Sequence, residues 1–152
     1  MDFAHSAGAL ATALAELRAV TAGRVLAVFG STGRSDHDRP GMGRAAARLA
    51  DFFVITTDDP VAEDPAEIAR QVASGAEGRQ PGRDYEVELD RRAAIRRALA
   101  AARPGDAVLL AGKGHERTMI MAGGPEPWDE RAEAEAALRE LGLAREAGRE
   151  GR

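Results

Sequence analysis

The stretch "RVLAVFG", residues 24–30, is a near-continuous apolar run that ends on a glycine. A strand with one face in water alternates apolar and polar residues; a strand covered on both faces does not. The run therefore predicts a strand in the middle of a sheet sandwiched between two layers. "FFVIT" (52–56) and "AVLLAG" (107–112) read the same way. "YEVEL" (85–89) alternates and belongs nearer the sheet edge. "TMIMAGG" (118–124) predicts a short terminal strand.

Helical patterns fill the gaps. "SAGALATALAELRAV" (6–20) places Leu10, Leu14 and Leu17 at helical spacing, and "RAAARLA" (44–50) is an alanine-rich helix. "DPAEIARQVASG" (64–75) offers Asp64 as N-cap, Pro65 at the first helical position and Gly75 as a stop. Asp90 caps "RRAAIRRALAAA" (91–102), which Pro104-Gly105 ends; its arginines predict a solvated face. "WDERAEAEAALREL" (128–141) sets Ala134, Leu138 and Leu141 on one stripe, with Trp128 as its anchor. Strands and helices alternate, so the expected fold is α/β: a Rossmann-like, doubly wound, mostly parallel sheet with helices on both faces. One domain covers residues 1–143, and residues 144–152 form a charged tail expected to fray.

Ligands of such sheets bind beyond the carboxyl ends of the strands. Three loops emerge there: "GSTGRSDHDRPG" (30–41), "TDDPVAEDP" (57–65) and "GKGHE" (112–116). Fold logic gathers them around one crevice.

Composition narrows what that crevice does. The chain has 152 residues, 44% hydrophobic and 30% charged, as expected of one globular domain. A net charge of −4 and few aromatics argue against nucleic-acid binding. No apolar run approaches the roughly 20 residues that span a bilayer, and the start lacks a basic signal-peptide region, so the expected location is cytoplasmic. There is no cysteine, hence no thiolate nucleophile. His5, His37 and His115 are scattered among loops, and no metal site is expected.

A phosphate-binding GxxxxGK[ST] loop is absent, as is the GxGxxG dinucleotide fingerprint. The first strand does not end in the acid that a receiver domain requires. "GKGHE" stands out, because glycines flanking a lysine are costly in backbone entropy and a simple turn does not need Lys, His and Glu together.

The order "DFAHSAGAL", "VFGSTGRSDHDRPGMG", "TTDDPVAEDP", "DRRAAIRRAL", "PGDAVLLAGKGHE", "WDERAEA" resembles the C-terminal domain of the Mur ligases. Within them it is similar to the MurE type, which adds the third residue to UDP-N-acetylmuramoyl-alanyl-glutamate. The resemblance runs from Asp2 to about Leu141. It implies an ATP-dependent ligase of peptidoglycan precursor synthesis, in which ATP phosphorylates the glutamate carboxylate and an incoming amine attacks the acyl phosphate. It also implies that ATP and magnesium sit mainly on a central domain, that an N-terminal domain holds the UDP sugar, and that this domain supplies the amino-acid pocket. The partners so implied are UDP-MurNAc-dipeptide, the amino acid and the other two ligase domains, without nucleic acid or membrane. Alone, a chain without a P-loop is expected to be inactive.

The resemblance also assigns positions. Asp2 and His5 match an Asp-Tyr-Ala-His entry segment near the nucleotide, with Phe3 replacing the tyrosine and Ala7 a usual proline. Arg34 matches a substrate-binding arginine of the first loop, although "STGRSDHDRP" departs from the usual Gly-Asp-Arg-Asp-x-Gly-Lys-Arg-Pro pattern. Gly112 and Glu116 fall where the family reads the far end of the amino acid, with Lys113 and His115 beside them; Asp129 and Arg131 match an Asp-Asp-Arg motif. Diaminopimelate-adding members carry Asp-Asn-Pro-Arg where this chain has Asp58-Asp59-Pro60-Val61. A distal carboxylate wants a guanidinium fork, and valine offers no donor. A distal ammonium would find Glu116 and Asp58 or Asp59, so the expected substrate is lysine or ornithine. Two alternatives stand beside this reading: another ligase of the superfamily, such as a folate-extending one, and a non-enzymatic small-molecule-binding module of Rossmann-like fold.

Overall fold

The computed structural model describes residues 4–33 and 37–143. Its centre is β1 (Val25–Phe29), flanked by β2 (Phe52–Ile55) and β4 (Ala107–Leu110), with β3 (Tyr85–Val87) outside β2. All pairings in this four-stranded sheet are parallel, in the order β3-β2-β1-β4. The doubly wound α/β architecture expected from the apolar runs is present.

Two-sided burial explains those runs. Val25, Ala27, Phe29, Phe53 and Ile55 pack with Leu10 and Leu14 of α1 (Ala7–Ala19), Met42 and Ala46 of α2 (Arg39–Leu49) and Val72 of α3 (Pro65–Ala73). The intervening Leu26, Val28, Phe52 and Val54 face the other way, toward Ala94, Ile95 and Ala98 of α4 (Arg91–Ala101) and Ala137 of α5 (Glu130–Glu140). Successive side chains of one strand thus feed two different cores. Trp128 packs against the second core, as its anchoring role requires.

Two elements differ from expectation. The second helix starts at Arg39, inside the stretch that its glycines marked as loop. Asp38 caps it, accepting from the Gly41 N–H at 2.9 Å, and Pro40 is tolerated in the first turn. Gly43 is there for helix packing rather than for a turn: a β-carbon on it would lie 1.9 Å from the Val72 carbonyl oxygen of α3. The stretch after "GKGHE" does not join the main sheet. Thr118–Met121 (β5) pairs antiparallel with Gly124–Pro127 (β6) as a separate hairpin. The tail beyond residue 143 lies outside the described residues. Among them, no helix is long and apolar enough to cross a membrane.

The chain passes from the α1–α3 face to the α4–α5 face between β3 and β4, so the sheet's topological switch lies between β1 and β4. The loops that follow β1, β2 and β4 therefore leave from neighbouring strand ends.

Candidate functional site

Direct bonds join those loops. The Gly33 N–H of the first donates to the Asp59 carbonyl of the second at 2.8 Å. Gly112, at the start of the third, has φ +111°, and a β-carbon there would sit 2.3 Å from Asp58 Oδ2. Glycine is thus required at 112 both by its backbone and by the acid it faces.

Lys113 organises the centre. Its side chain is fully buried, and its Nζ donates to Asp59 Oδ1 at 2.7 Å and to Glu116 Oε2 at 2.8 Å, with Asp58 Oδ1 at 3.8 Å. Burial pulls the ammonium down. The hydrogen bonds it donates to Asp59 and Glu116 and the charges of Asp58 and Asp59 outweigh it, so the pKa lies above the usual lysine value.

Asp58 is the opposite case. It is completely buried, and among the described residues neither of its oxygens accepts a hydrogen bond. Its neighbours are Lys113 and the imidazole Nδ1 of His5, 3.5 Å from Oδ2. Burial pushes its carboxyl above the usual range, against the pull of Arg91, Lys113 and His5. His5 spans the gap, with Nε2 lying 3.6 Å from Glu116 Oε1.

Asp59 is held from every side. It has φ +37°, its N–H points to the Met119 sulfur, and its Oδ1 also accepts from the Ile120 N–H at 2.8 Å. Val61 sits at φ +55°, a rare setting for a β-branched residue, with its N–H on the Ile120 carbonyl at 3.0 Å. The hairpin β5–β6 therefore props the second loop.

Of the residues singled out from sequence, His5, Asp58, Asp59, Gly112, Lys113 and Glu116 come together here. Asp2 and Arg34 lie outside the described residues. His115, Asp129 and Arg131 line a separate cleft of about 250 Å³, whose wall Glu116 shares. Asp129 caps α5 through the Ala132 N–H and pairs with Arg117, while Arg131 is exposed and pairs with Glu135.

Sequence reasoning missed Arg91. It is buried rather than solvated: Nε and Nη2 grip Glu130, Nη1 donates to the Thr57 carbonyl at 3.0 Å and Nη2 to the Ala111 carbonyl at 2.9 Å. Those carbonyls immediately precede Asp58 and Gly112, so this guanidinium ties both site loops to α4 and α5. The signal was present, because Arg91 shares the stripe of Ala94, Ile95 and Ala98. Arg39, also missed, is buried under the second loop, bonded to Gln71 and the Thr32 carbonyl and paired with Glu63 at 2.9 Å.

The site is a cluster of three acids around one resident ammonium, with Asp58 and Lys113 sealed from solvent and Glu116 partly open. Lys113, the chain's one lysine, is enclosed by carboxylates, and among the described residues no group of three His, Cys, Asp or Glu is placed to hold a metal ion.

Comparison with known proteins matches residues 1–114 to the Mur ligase, glutamate ligase domain family. The UDP-N-acetylmuramyl-tripeptide synthetase of Roseiflexus sp. (strain RS-1) is 48% identical over 145 residues, covering 93% of this chain and 28% of that protein. The UDP-N-acetylmuramoyl-L-alanyl-D-glutamate–2,6-diaminopimelate ligase of Caulobacter vibrioides is 45% identical over 140 residues, covering 91% and 27%. A solved structure of a ligase of that second name superposes with a TM-score of 0.81 at 32% identity, over 92% of this chain and 28% of the other. The chain thus spans little more than a quarter of the length of these proteins.

Proposed function

The chain belongs to the Mur ligase, glutamate ligase domain family, and from that premise we propose that it forms the amino-acid-binding part of a cytoplasmic, ATP-dependent ligase that joins a basic amino acid, lysine or ornithine, to UDP-MurNAc-alanyl-glutamate. The observation that carries the choice against a distal carboxylate is Val61, which offers it no cation; a distal ammonium, which lysine, ornithine and diaminopimelate all carry, is favoured by Asp58, a buried carboxylate with no hydrogen-bond donor among the described residues. An incoming ammonium would supply one, and Glu116 Oε1 lies on the same side, within reach of the same His5.

A distal carboxylate would meet the same acids. The Val61 backbone is committed to Ile120, and its side chain offers no cation. Arg39, whose guanidinium pairs with Glu63 of the same loop, is already bound to that acid, to Gln71 and to the Thr32 carbonyl. An unpaired buried charge costs about 3–5 kcal/mol, enough to decide between substrates.

In this reading the chain's own work is to bind and orient the amino acid, so that its α-amine meets the activated glutamate. ATP and magnesium would supply the acyl phosphate mainly from the other ligase domains. The names of several relatives favour a second reading, in which 2,6-diaminopimelate is the amino acid. Joining the chain to the remaining domains of a relative and measuring kcat/KM separates the two. Lysine or ornithine should exceed diaminopimelate by about tenfold or more. A preference for diaminopimelate would overturn the argument from Val61.

A further inference from the structure

The cage holds three carboxylates, Asp58, Asp59 and Glu116, around one ammonium, Lys113. The neighbouring Arg91–Glu130 pair is self-neutralising. The acids are not equivalent. Asp59 Oδ1 already accepts from Lys113 and from the Ile120 backbone, so that oxygen is committed within the chain. Glu116 shares Lys113 through Oε2 alone and turns Oε1 toward His5. An amide oxygen at position 59 would accept from Lys113 without neutralising it, and the ammonium would then depend on Glu116 and Asp58.

We propose that Asp59 sets the ammonium specificity of the site indirectly, by sharing with Glu116 Oε2 the charge of Lys113, which leaves Asp58 and Glu116 Oε1 to an incoming ammonium. Asp59 and Lys113 are thus positioning residues that act on the ligand through the other two acids. The claim rests on the amino-acid-binding reading, but the pairing can be checked without any ligand.

The first measurement follows the Lys113 ammonium by 15N NMR across an alkaline titration of the ligand-free chain, in the parent and in Asp59→Asn, which keeps size and shape. The pairing requires the lysine to titrate about 1 unit or more lower in the variant. An unchanged titration overturns it whatever the ligand does.

The second measurement compares the affinity of lysine with that of norleucine, which lacks the side-chain ammonium, for the parent, Asp59→Asn, Lys113→Met and the double variant. The lysine preference should fall about tenfold in Asp59→Asn, as Lys113 turns to Glu116 and Asp58. It should return to within about threefold of the parent in the double variant, where Lys113 no longer competes. A purely structural role would not produce that rescue. A double variant as unselective as the single one overturns the proposal. A parent chain that shows no lysine preference, with the NMR shift intact, overturns the substrate reading and leaves only the pairing.

Discussion

The Arg91–Glu130 pair and the Asp58–Asp59–Glu116–Lys113 cage are both buried and both charged, yet they use their hydrogen bonds differently. Arg91 directs its guanidinium to Glu130 and to two backbone carbonyls, and Glu130 answers with both oxygens. In the cage, Lys113 is bonded to two acids while Asp58 has no donor among the described residues. A buried charge without a hydrogen bond is costly, and a fold keeps one where something else will complete it. The Arg91 cluster braces the loops; in the proposed reading, the hydrogen-bonding capacity that Asp58 leaves unused is what an incoming ammonium completes.

Breaking the closed cluster should have the largest effect. Arg91→Met leaves Glu130 charged and alone and frees both loop carbonyls, so chemical denaturation should show a loss of about 3–5 kcal/mol. Adding Glu130→Met should restore part of it, because removing both charges leaves only the two carbonyls unserved. A single variant as stable as the parent would mean that Arg91 braces nothing.

Asp58→Asn should behave in the opposite sense. Folding raises the Asp58 pKa, so this group favours the folded state fully below its ordinary value of 3.8 and loses that contribution as pH rises through its folded value. The neutral variant should therefore match or exceed the parent in stability near neutral pH, by up to about 1 kcal/mol, while binding lysine much more weakly. Thermal melts as a function of pH, with calorimetric titration of lysine, check both halves. A strong destabilisation would make Asp58 another brace.

The smallest effect should come from Arg131→Ala. That side chain is 76% exposed and pairs only with Glu135 along α5. Denaturation should shift by less than about 0.5 kcal/mol, and lysine affinity should not change. A large loss of lysine affinity would move the ligand toward the second cleft.

The same contrast marks what could be read from the residues. Strands buried on both faces announce themselves by missing alternation, as Val25–Phe29 and Phe52–Ile55 do, and parallel topology then brings their following loops together. Asp58, Gly112 and Glu116 were therefore found as neighbours. Charged side chains that turn inward leave no comparable mark. Arg91 and Arg96 stand in the same "RRAAIRR" run, yet one is buried and the other pairs in the open with Glu140. Only helical register separates them. Lys113 was visible as unusual between its glycines, but that Asp59 and Glu116 would both close on it depends on the positive φ of Asp59 and the hairpin behind it. Those are tertiary facts, set by how β5 reaches back to the second loop.

The most direct measurement is a crystal structure of the chain with bound lysine. The account predicts the side-chain ammonium within hydrogen-bond distance of Asp58 and Glu116, with Lys113 still on Asp59. A lysine bound elsewhere, or one whose carboxylate occupies the place beside Asp58, would contradict it.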